Sequence, residues 1–470
     1  VAVIGAGSAG LTAYRAAKAQ GAQAVLIEGG AYGTTCARVG CMPSKLLIAA
    51  ADAAHSIRHA GEFGIHAGPM RIDSRAVMAR VKSERDHFVG FVLDQVEKMA
   101  PQDRMEGYAR FINANELQIG NDTRITAKSI VIATGSRPWV PEELHGIGDR
   151  LLTSDQLFEK ESLPQSIAVV GAGVIGLELG QALHRLGGKV TLFGRNQTLS
   201  QLTDPVVSES AFRCLERELD IRLNTRITKS EIKQEQVLLH YRAADGTERS
   251  EYYDCVLAAT GRIPNVHALQ LENAGLALNE QGIPLFDPFT MQCGDSAIFI
   301  AGDVNNQRPV LHEATDQGRI AGSNAALYPH VAQGLRHMPL SIAFTDPQIA
   351  MVGESWRALQ GSRFVTGSVS FDNQGRSRVM LQNRGVLHVY ADVRSGQFVG
   401  AEMVAPRAEH LAHLLAWACQ SRMTIAQMLE LPFYHPVVEE GVRTALRNAK
   451  EKLMTALPEI ERCADCTPGT

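Results

Sequence analysis

An α/β fold with two Rossmann-like halves is predicted by three observations: a strand–glycine turn–helix pattern that occurs twice, an acidic residue closing the second strand of one copy, and a cysteine pair just beyond that copy. Val1-Ala2-Val3-Ile4-Gly5-Ala6-Gly7-Ser8-Ala9-Gly10-Leu11 returns as Ile167-Ala168-Val169-Val170-Gly171-Ala172-Gly173-Val174-Ile175-Gly176-Leu177, 166 residues later. Each copy is a buried β-branched strand, a GxGxxG turn and an amphipathic helix, the order that sets a pyrophosphate on a helix N-terminus. Gly5 and Gly171 make the tight turn, Gly7 and Gly173 let phosphates approach the backbone, and Gly10 and Gly176 let helix pack on strand. One such pattern is weak evidence; two, each in its strand and helix context, are strong. The chain opens directly in the first strand, so a few native residues are expected before Val1.

In the first copy the strand Ala24-Val25-Leu26-Ile27 ends at Glu28, placed to accept hydrogen bonds from a ribose. The same count from Gly171 reaches Gly194, followed by Arg195. A carboxylate there would repel a 2′-phosphate, whereas glycine and a guanidinium remove the repulsion and offer a bidentate partner. The second site therefore leans to NADP(H), with a solvated loop cation as the alternative for Arg195.

Cys36 and Cys41, in Thr35-Cys36-Ala37-Arg38-Val39-Gly40-Cys41-Met42-Pro43-Ser44-Lys45, follow the first site by one short loop. Paired thiols beside a dinucleotide site point to a disulfide that exchanges electrons with a bound cofactor. Four intervening residues fit a zinc knuckle poorly, and no second CxxC or Cys/His pair lies nearby, so no metal is expected. Two reduced core cysteines are the plainer alternative. Arg38 would set a positive charge beside both sulfurs and favour thiolate, unless it points away to a carboxylate.

The chain has 470 residues, 45% of them hydrophobic, enough for about three domains. Forty-six basic against 50 acidic residues give no field that argues for nucleic acid. No apolar run approaches the roughly 18 residues of a membrane span, and no signal peptide precedes the first motif, so the reading is cytoplasmic and free of membrane. Eight widely spaced cysteines do not form a secreted disulfide framework. The stretch from Leu46 through Met99 has apolar residues at helical spacing and reads as two long helices with a core-facing side.

With these features the sequence resembles, over essentially its whole length, the flavoprotein disulfide reductases, the family of dihydrolipoamide dehydrogenase, glutathione reductase and mercuric reductase. Further matches are Ala133-Thr134-Gly135-Ser136-Arg137-Pro138 and Ala259-Thr260-Gly261-Arg262-Ile263-Pro264, which in the family close the two nucleotide domains. Phe299-Ile300-Ala301-Gly302-Asp303 is similar to the second FAD motif, whose Asp binds the ribityl chain. Phe344-Thr345-Asp346-Pro347-Gln348 through Gly353 resembles the start of the interface domain, with Gln348 where the family usually has Glu. His435-Pro436-Val437-Val438-Glu439-Glu440 is similar to the segment in which a His from the partner subunit is the acid-base catalyst and the Glu orients it.

The resemblance implies an FAD domain over 1–148 and 272–335, an NAD(P) domain over 149–271, and a C-terminal α+β dimerisation domain over 336–470. It implies FAD and NAD or NADP as cofactors, with Thr35, Thr134, Gly135, Gly302 and Gly261 among the binding residues and Val174 over the nicotinamide pocket. Cys41 becomes the sulfur nearer the flavin, Cys36 the one that exchanges with substrate, and Lys45 and Glu178 a pair near flavin N5. It implies a homodimer acting on a small dithiol or disulfide such as lipoamide, and it admits membership of a multienzyme complex.

Within the family, Met42-Pro43-Ser44-Lys45 leans to dihydrolipoamide dehydrogenase or mercuric reductase, since glutathione and thioredoxin reductases usually carry Lys at Ser44. His435-Pro436 argues against mercuric reductase, which places a tyrosine there. Val174 argues against glutathione reductases, which tend to an aromatic, and Gly194-Arg195 pulls away from NAD-linked members. The expectation is therefore dihydrolipoamide dehydrogenase-like activity, with an NADPH-dependent reductase of another disulfide as the alternative and a redox-inactive flavin-binding interaction protein as a remote one. A terminal pair, Cys463 and Cys466, resembles the electron-relaying tails of some members, although a tail with incidental cysteines is the simpler reading.

Overall fold

The computed structural model describes residues 1–456, and these form two compact units. Cys463 and Cys466 lie outside the described residues. The first unit takes residues 1–195 and 224–337; the second takes residues 196–223 and the chain from Met338 on. Among the described residues no helix is long and apolar enough to cross a membrane.

In the first unit a five-stranded parallel sheet runs in the order Ile298–Ile300, Ile130–Ile132, Ala2–Ile4, Val25–Glu28, Arg104–Glu106. Apart from the edge strand Arg104–Glu106, its strands are short runs of mostly buried apolar residues, as a sheet covered on both faces requires. Helix Ser8–Ala19 covers one face and crosses helix Leu311–Leu327 so closely that a Cβ at Gly318 or Gly322 would overlap the Ala9 or Ala13 carbonyl. The second sheet repeats the plan: Ser166–Val170 lies between Lys189–Phe193 and Cys255–Ala258, all parallel, with Leu151–Leu152 beyond the last. Helix Val174–Arg185 follows its first strand. The two expected long helices span Cys41–His59 and Ser74–Glu97; the second buries only Met78, Val81 and Val96.

The second unit is built on a five-stranded antiparallel sheet, in the order Leu340–Ala343, Gln348–Gly353, Phe398–Ala405, Val386–Asp392, Phe364–Ser370. Helices Ala408–Gln420 and Glu440–Ala456 pack on it. Gln348 has a local role: its Oε1 accepts the Glu409 amide at 2.9 Å, in the first turn of the former helix. Residues 196–223, counted from sequence within the nucleotide domain, group with this unit because polar side chains of its sheet hold them. Glu402 is fully buried and accepts the amides of Thr203 at 2.7 Å, Asp204 at 2.9 Å and Trp356 at 2.8 Å. Asp204 accepts from His388 Nδ1 at 2.7 Å and from Tyr390 Oη at 3.0 Å.

Candidate active site

The two glycine turns have the same construction. Gly5 has φ +103° and Gly171 φ +120°, and a Cβ on either would overlap a carbonyl oxygen, that of Ala133 or Ala259. A Cβ on Gly10 or Gly176 would overlap the carbonyl oxygen of Gly5 or Gly171. The fold itself thus requires the first and third glycines of each turn. The middle ones, Gly7 and Gly173, have no protein atom within 4 Å of an added Cβ. Each precedes a helix of 12 residues, Ser8–Ala19 or Val174–Arg185, whose first amides and dipole favour an anion. The space left at Gly7 and Gly173 fits the phosphates of a bound dinucleotide, so the residues present fit two such groups.

At the sugar end the turns differ. Glu28 Oε2 accepts the Ala6 amide at 2.7 Å and Oε1 the Gly30 amide at 2.8 Å, which ties the second strand to the glycine turn. Each carboxylate oxygen retains a lone pair for a hydroxyl. In the second turn Gly194 is buried, and Arg195 is exposed and makes no ion pair among the described residues.

Thr35 and Cys36 lie in the short helix Thr35–Val39, capped by Thr34 Oγ1, which accepts the Ala37 amide at 3.3 Å. Gly40 separates this helix from Cys41–His59; a Cβ there would meet the Thr35 carbonyl oxygen at 3.0 Å. That close turn sets Cys41, the first residue of the longer helix, beside Cys36. The interaction of the two thiols drives their proton affinities apart. Cys36 is pushed well up by it and by burial, whereas Cys41 is pulled down to about 7 by the same interaction, against desolvation and with the help of the Lys45 charge.

Lys45 Nζ lies 2.6 Å from Glu178 Oε2, and Glu178 is buried. Two turns along each helix, Arg185 Nη1 meets Asp52 Oδ1 at 2.9 Å, so the cysteine-bearing helix and the helix of the second glycine turn are fixed in register. Of the two alternatives for Arg38, the structure shows the one that points away, with a carbonyl in place of a carboxylate. Arg38 Nη1 donates to the Ala31 carbonyl at 3.1 Å, and its side chain fills the space where a Cβ on Gly33 would meet Cδ at 2.9 Å. The cation acting on both sulfurs is Lys45.

Thr134 and Gly135 lead into one strand and Gly261 into the other of a short antiparallel ribbon, Ser136–Pro138 with Arg262–Pro264, whose register sets Gly135 opposite Asn265 and Gly261 opposite Trp139. Thr134 Oγ1 donates to the Asn265 carbonyl at 2.8 Å, and Asn265 Nδ2 to the Thr134 carbonyl at 3.0 Å. Gly302, at φ +82°, has its amide held by Gln317 Oε1 at 2.7 Å, which fixes the turn into Asp303. Val174 opens the second helix, half-buried. Sequence reasoning quoted Ser136 and Arg262 inside their motifs but assigned them nothing, and nothing in the sequence marked Gln317.

In the second unit, helix Glu440–Ala456 lies so close to strand Phe364–Ser370 that a Cβ on Gly367 would overlap the Ala445 carbonyl. A Cβ on Gly441 would meet the buried Phe371 ring at 2.8 Å. These contacts place Glu440, whose two oxygens both lie 3.1 Å from His435 Nδ1. Glu440 is held below the usual carboxylate range, first by that hydrogen bond. An ionised carboxylate only accepts, so Nδ1 carries the proton of this bond and Nε2 is left clear of Glu440. The side chain of His435 is 80% exposed within this chain, and Gln374 Nε2 steadies its loop through the Val437 carbonyl at 2.7 Å. Among the described residues no group of three or more His, Cys, Asp or Glu could hold a metal ion.

Residues 1–318 match the family described as pyridine nucleotide-disulphide oxidoreductase, and residues 340–446 match its dimerisation domain. A mercuric reductase of Shigella flexneri is 32% identical over 465 residues, covering 95% of this chain and 80% of that protein. A dihydrolipoyl dehydrogenase of Haloferax volcanii is 32% identical over 462 residues, covering 95% of each. Among solved structures, LpdA of Mycobacterium tuberculosis superposes with a TM-score of 0.82 at 25% identity, over 95% of this chain and 98% of that one. The HOCl-induced flavoprotein disulfide reductase RclA of Escherichia coli shares the fold, with a TM-score of 0.79 at 24% identity over 96% and 99% of the two chains. The chain belongs to the pyridine nucleotide-disulphide oxidoreductases, FAD-containing enzymes that work with NAD(P)H.

Proposed function

We propose that this chain is a dihydrolipoyl dehydrogenase-type oxidoreductase that moves two electrons between NAD(P)(H) and a small dithiol or disulfide through Cys36 and Cys41, as a homodimer in which His435 serves the partner subunit's thiols. The observation that carries the reading is the His435–Glu440 pair, in which the carboxylate takes Nδ1 and leaves Nε2 to receive a thiol proton. Gly5, Gly7, Gly10, Glu28, Thr35, Thr134, Gly135, Gly302 and Asp303 would hold FAD, and Gly171, Gly173, Val174, Gly176, Arg195 and Gly261 the nicotinamide dinucleotide. FAD, when bound, passes the electron pair between nicotinamide and the cysteines.

In dithiol oxidation, His435 Nε2 takes the proton of one substrate thiol, and the thiolate attacks Cys36 Sγ of the disulfide. The S–S bond breaks and Cys41 leaves as thiolate, the form favoured by its lowered pKa and by Lys45. The second substrate thiolate then attacks the substrate sulfur of the mixed disulfide. Cys36 departs and takes the proton held by His435, which in turn receives the proton of this second thiol, and the substrate is left oxidised by two electrons.

Replacing His435 with Gln is expected to slow dithiol oxidation by about 10² to 10⁴ while nicotinamide-dependent flavin reduction stays intact. Equal loss of both half-reactions would remove His435 from the thiol step. Wild-type enzyme that consumes NADPH with Hg(II) but leaves lipoamide untouched would overturn the dithiol reading. A second reading, an NADPH-dependent reductase of another disulfide, is favoured by the exposed Arg195 beside Gly194. Lipoamide turnover with NAD(H) against NADP(H) separates the two.

A further inference from the structure

The ribbon that joins the two glycine-turn folds carries a chain of three side chains. Arg262 Nε donates to Ser136 Oγ at 2.9 Å, and its Nη2 donates to the Ser136 carbonyl at 2.7 Å. Ser136 Oγ in turn lies 2.9 Å from Asp303 Oδ2. The direction of these bonds is fixed by the groups themselves. A guanidinium only donates and an ionised carboxylate only accepts, so the one hydroxyl proton of Ser136 must go to Asp303. Asp303 Oδ1 has no hydrogen-bond partner among the described residues. On the other side of the turn, Gln317 holds the Gly302 amide, and a Cβ on Gly302 would meet the Ala9 Cβ at 2.8 Å, so the backbone into Asp303 has little freedom.

We propose that Arg262 is a positioning residue for the flavin site, acting through Ser136 to hold one oxygen of Asp303 so that the other faces a ribityl hydroxyl. The inference rests on reading Asp303 as the residue that binds the ribityl chain of FAD. Arg262 directly follows Gly261, the turn that ends strand Cys255–Ala258 of the second fold. A residue of the nicotinamide-binding half thereby orders the cofactor of the other half. The fork of the guanidinium is needed for this, because one nitrogen fixes the Ser136 backbone and another its hydroxyl, a division that a lysine ammonium does not reproduce.

The test is retention of FAD by the purified holoenzyme on dilution, followed as the recovery of free flavin fluorescence. Asp303→Asn, Ser136→Ala and Arg262→Leu are each expected to weaken retention about tenfold to hundredfold, the ratio set by one hydrogen bond to a charged group. The Ser136→Ala, Arg262→Leu double variant should be no weaker than the weaker single, because both act through one link. Ser136→Thr keeps the hydroxyl and should restore wild-type retention, and Arg262→Lys should not. Additive losses, or a threonine that behaves as alanine, would reduce the contact to general support of the fold and overturn the proposal. Weak retention in Asp303→Asn with normal retention in the other two would also overturn it. Normal retention in Asp303→Asn would instead overturn the reading of Asp303 on which it rests.

Discussion

The two glycine-turn folds solve the same backbone problem in the same way and part company at one position. In both, the first and third glycines are enforced by carbonyl oxygens of the protein itself, and the middle glycine faces open space. At the end of the second strand, Glu28 is tied to the turn by two amides, whereas Gly194 offers no side chain and Arg195 stands free of ion pairs among the described residues. The difference teaches that the shape of the turn is built into the chain's packing, whereas the end of the second strand is free to vary: a carboxylate braces one turn, and the other forms without one.

Substitutions at the glycines test the shared half of that comparison and carry the largest effects. Gly10→Ala and Gly176→Ala drive a Cβ into a backbone carbonyl and are expected to cost about 3 kcal/mol or more in urea unfolding of the FAD-free protein. Gly7→Ala and Gly173→Ala should leave that unfolding unchanged. Gly7→Ala should instead lose FAD, and Gly173→Ala should keep its flavin while the KM for nicotinamide rises about tenfold or more. Loss of flavin from Gly173→Ala rather than Gly7→Ala would reverse the assignment of the two folds.

The unshared half is tested at Arg195. Arg195→Glu exchanges a phosphate partner for a phosphate repellent and should move the preference toward NADH over NADPH by about tenfold or more in competition kinetics. An unchanged ratio would make Arg195 a solvated cation and remove the difference drawn above. The smallest effect concerns Lys45–Glu178, where the two folds meet through their helices. In the reduced enzyme the Cys41 thiolate, followed by its ultraviolet absorbance, should appear with a midpoint of about 7. The Lys45 cation favours the thiolate and Glu178 opposes it, so Lys45→Met should raise the midpoint, by about one unit. A midpoint that stays put would show that the neighbouring Cys36 thiol alone sets it.

What could be read from sequence was whatever depends on short spacings. The glycine turns, the strand ending at Glu28 and the His435–Glu440 contact are all set within a few turns of chain. The ion pair of Lys45 with Glu178 is far apart in sequence and was legible only through resemblance, because no local pattern links the two helices. The direction of Arg38 was left open because it depends on the space beside the side chain: Gly33 opens a slot, and the Ala31 carbonyl, not a carboxylate, fills the guanidinium's need for an acceptor. The hold of Glu402 on Thr203 and Asp204 was not legible, because that carboxylate lies nearly two hundred residues away. The Arg262–Ser136–Asp303 chain was invisible for the same reason, although each member stood in a motif already noted.

The sheet of the first fold is assembled from strands that end at Ile132 and then resume at Ile298, with the whole second fold between them. During synthesis at about 5–20 residues per second, the last strand follows the others by on the order of ten seconds. The paired strands of the second fold named above all lie within residues 151–258, so it can close while the first waits. Through that interval the Ile130–Ile132 strand is an open apolar edge on the nascent chain, a template for any other extended segment. Nesting one nucleotide fold inside the other therefore imposes an order of assembly, and it makes the arrival of Ile298–Ile300 the event that ends the exposure.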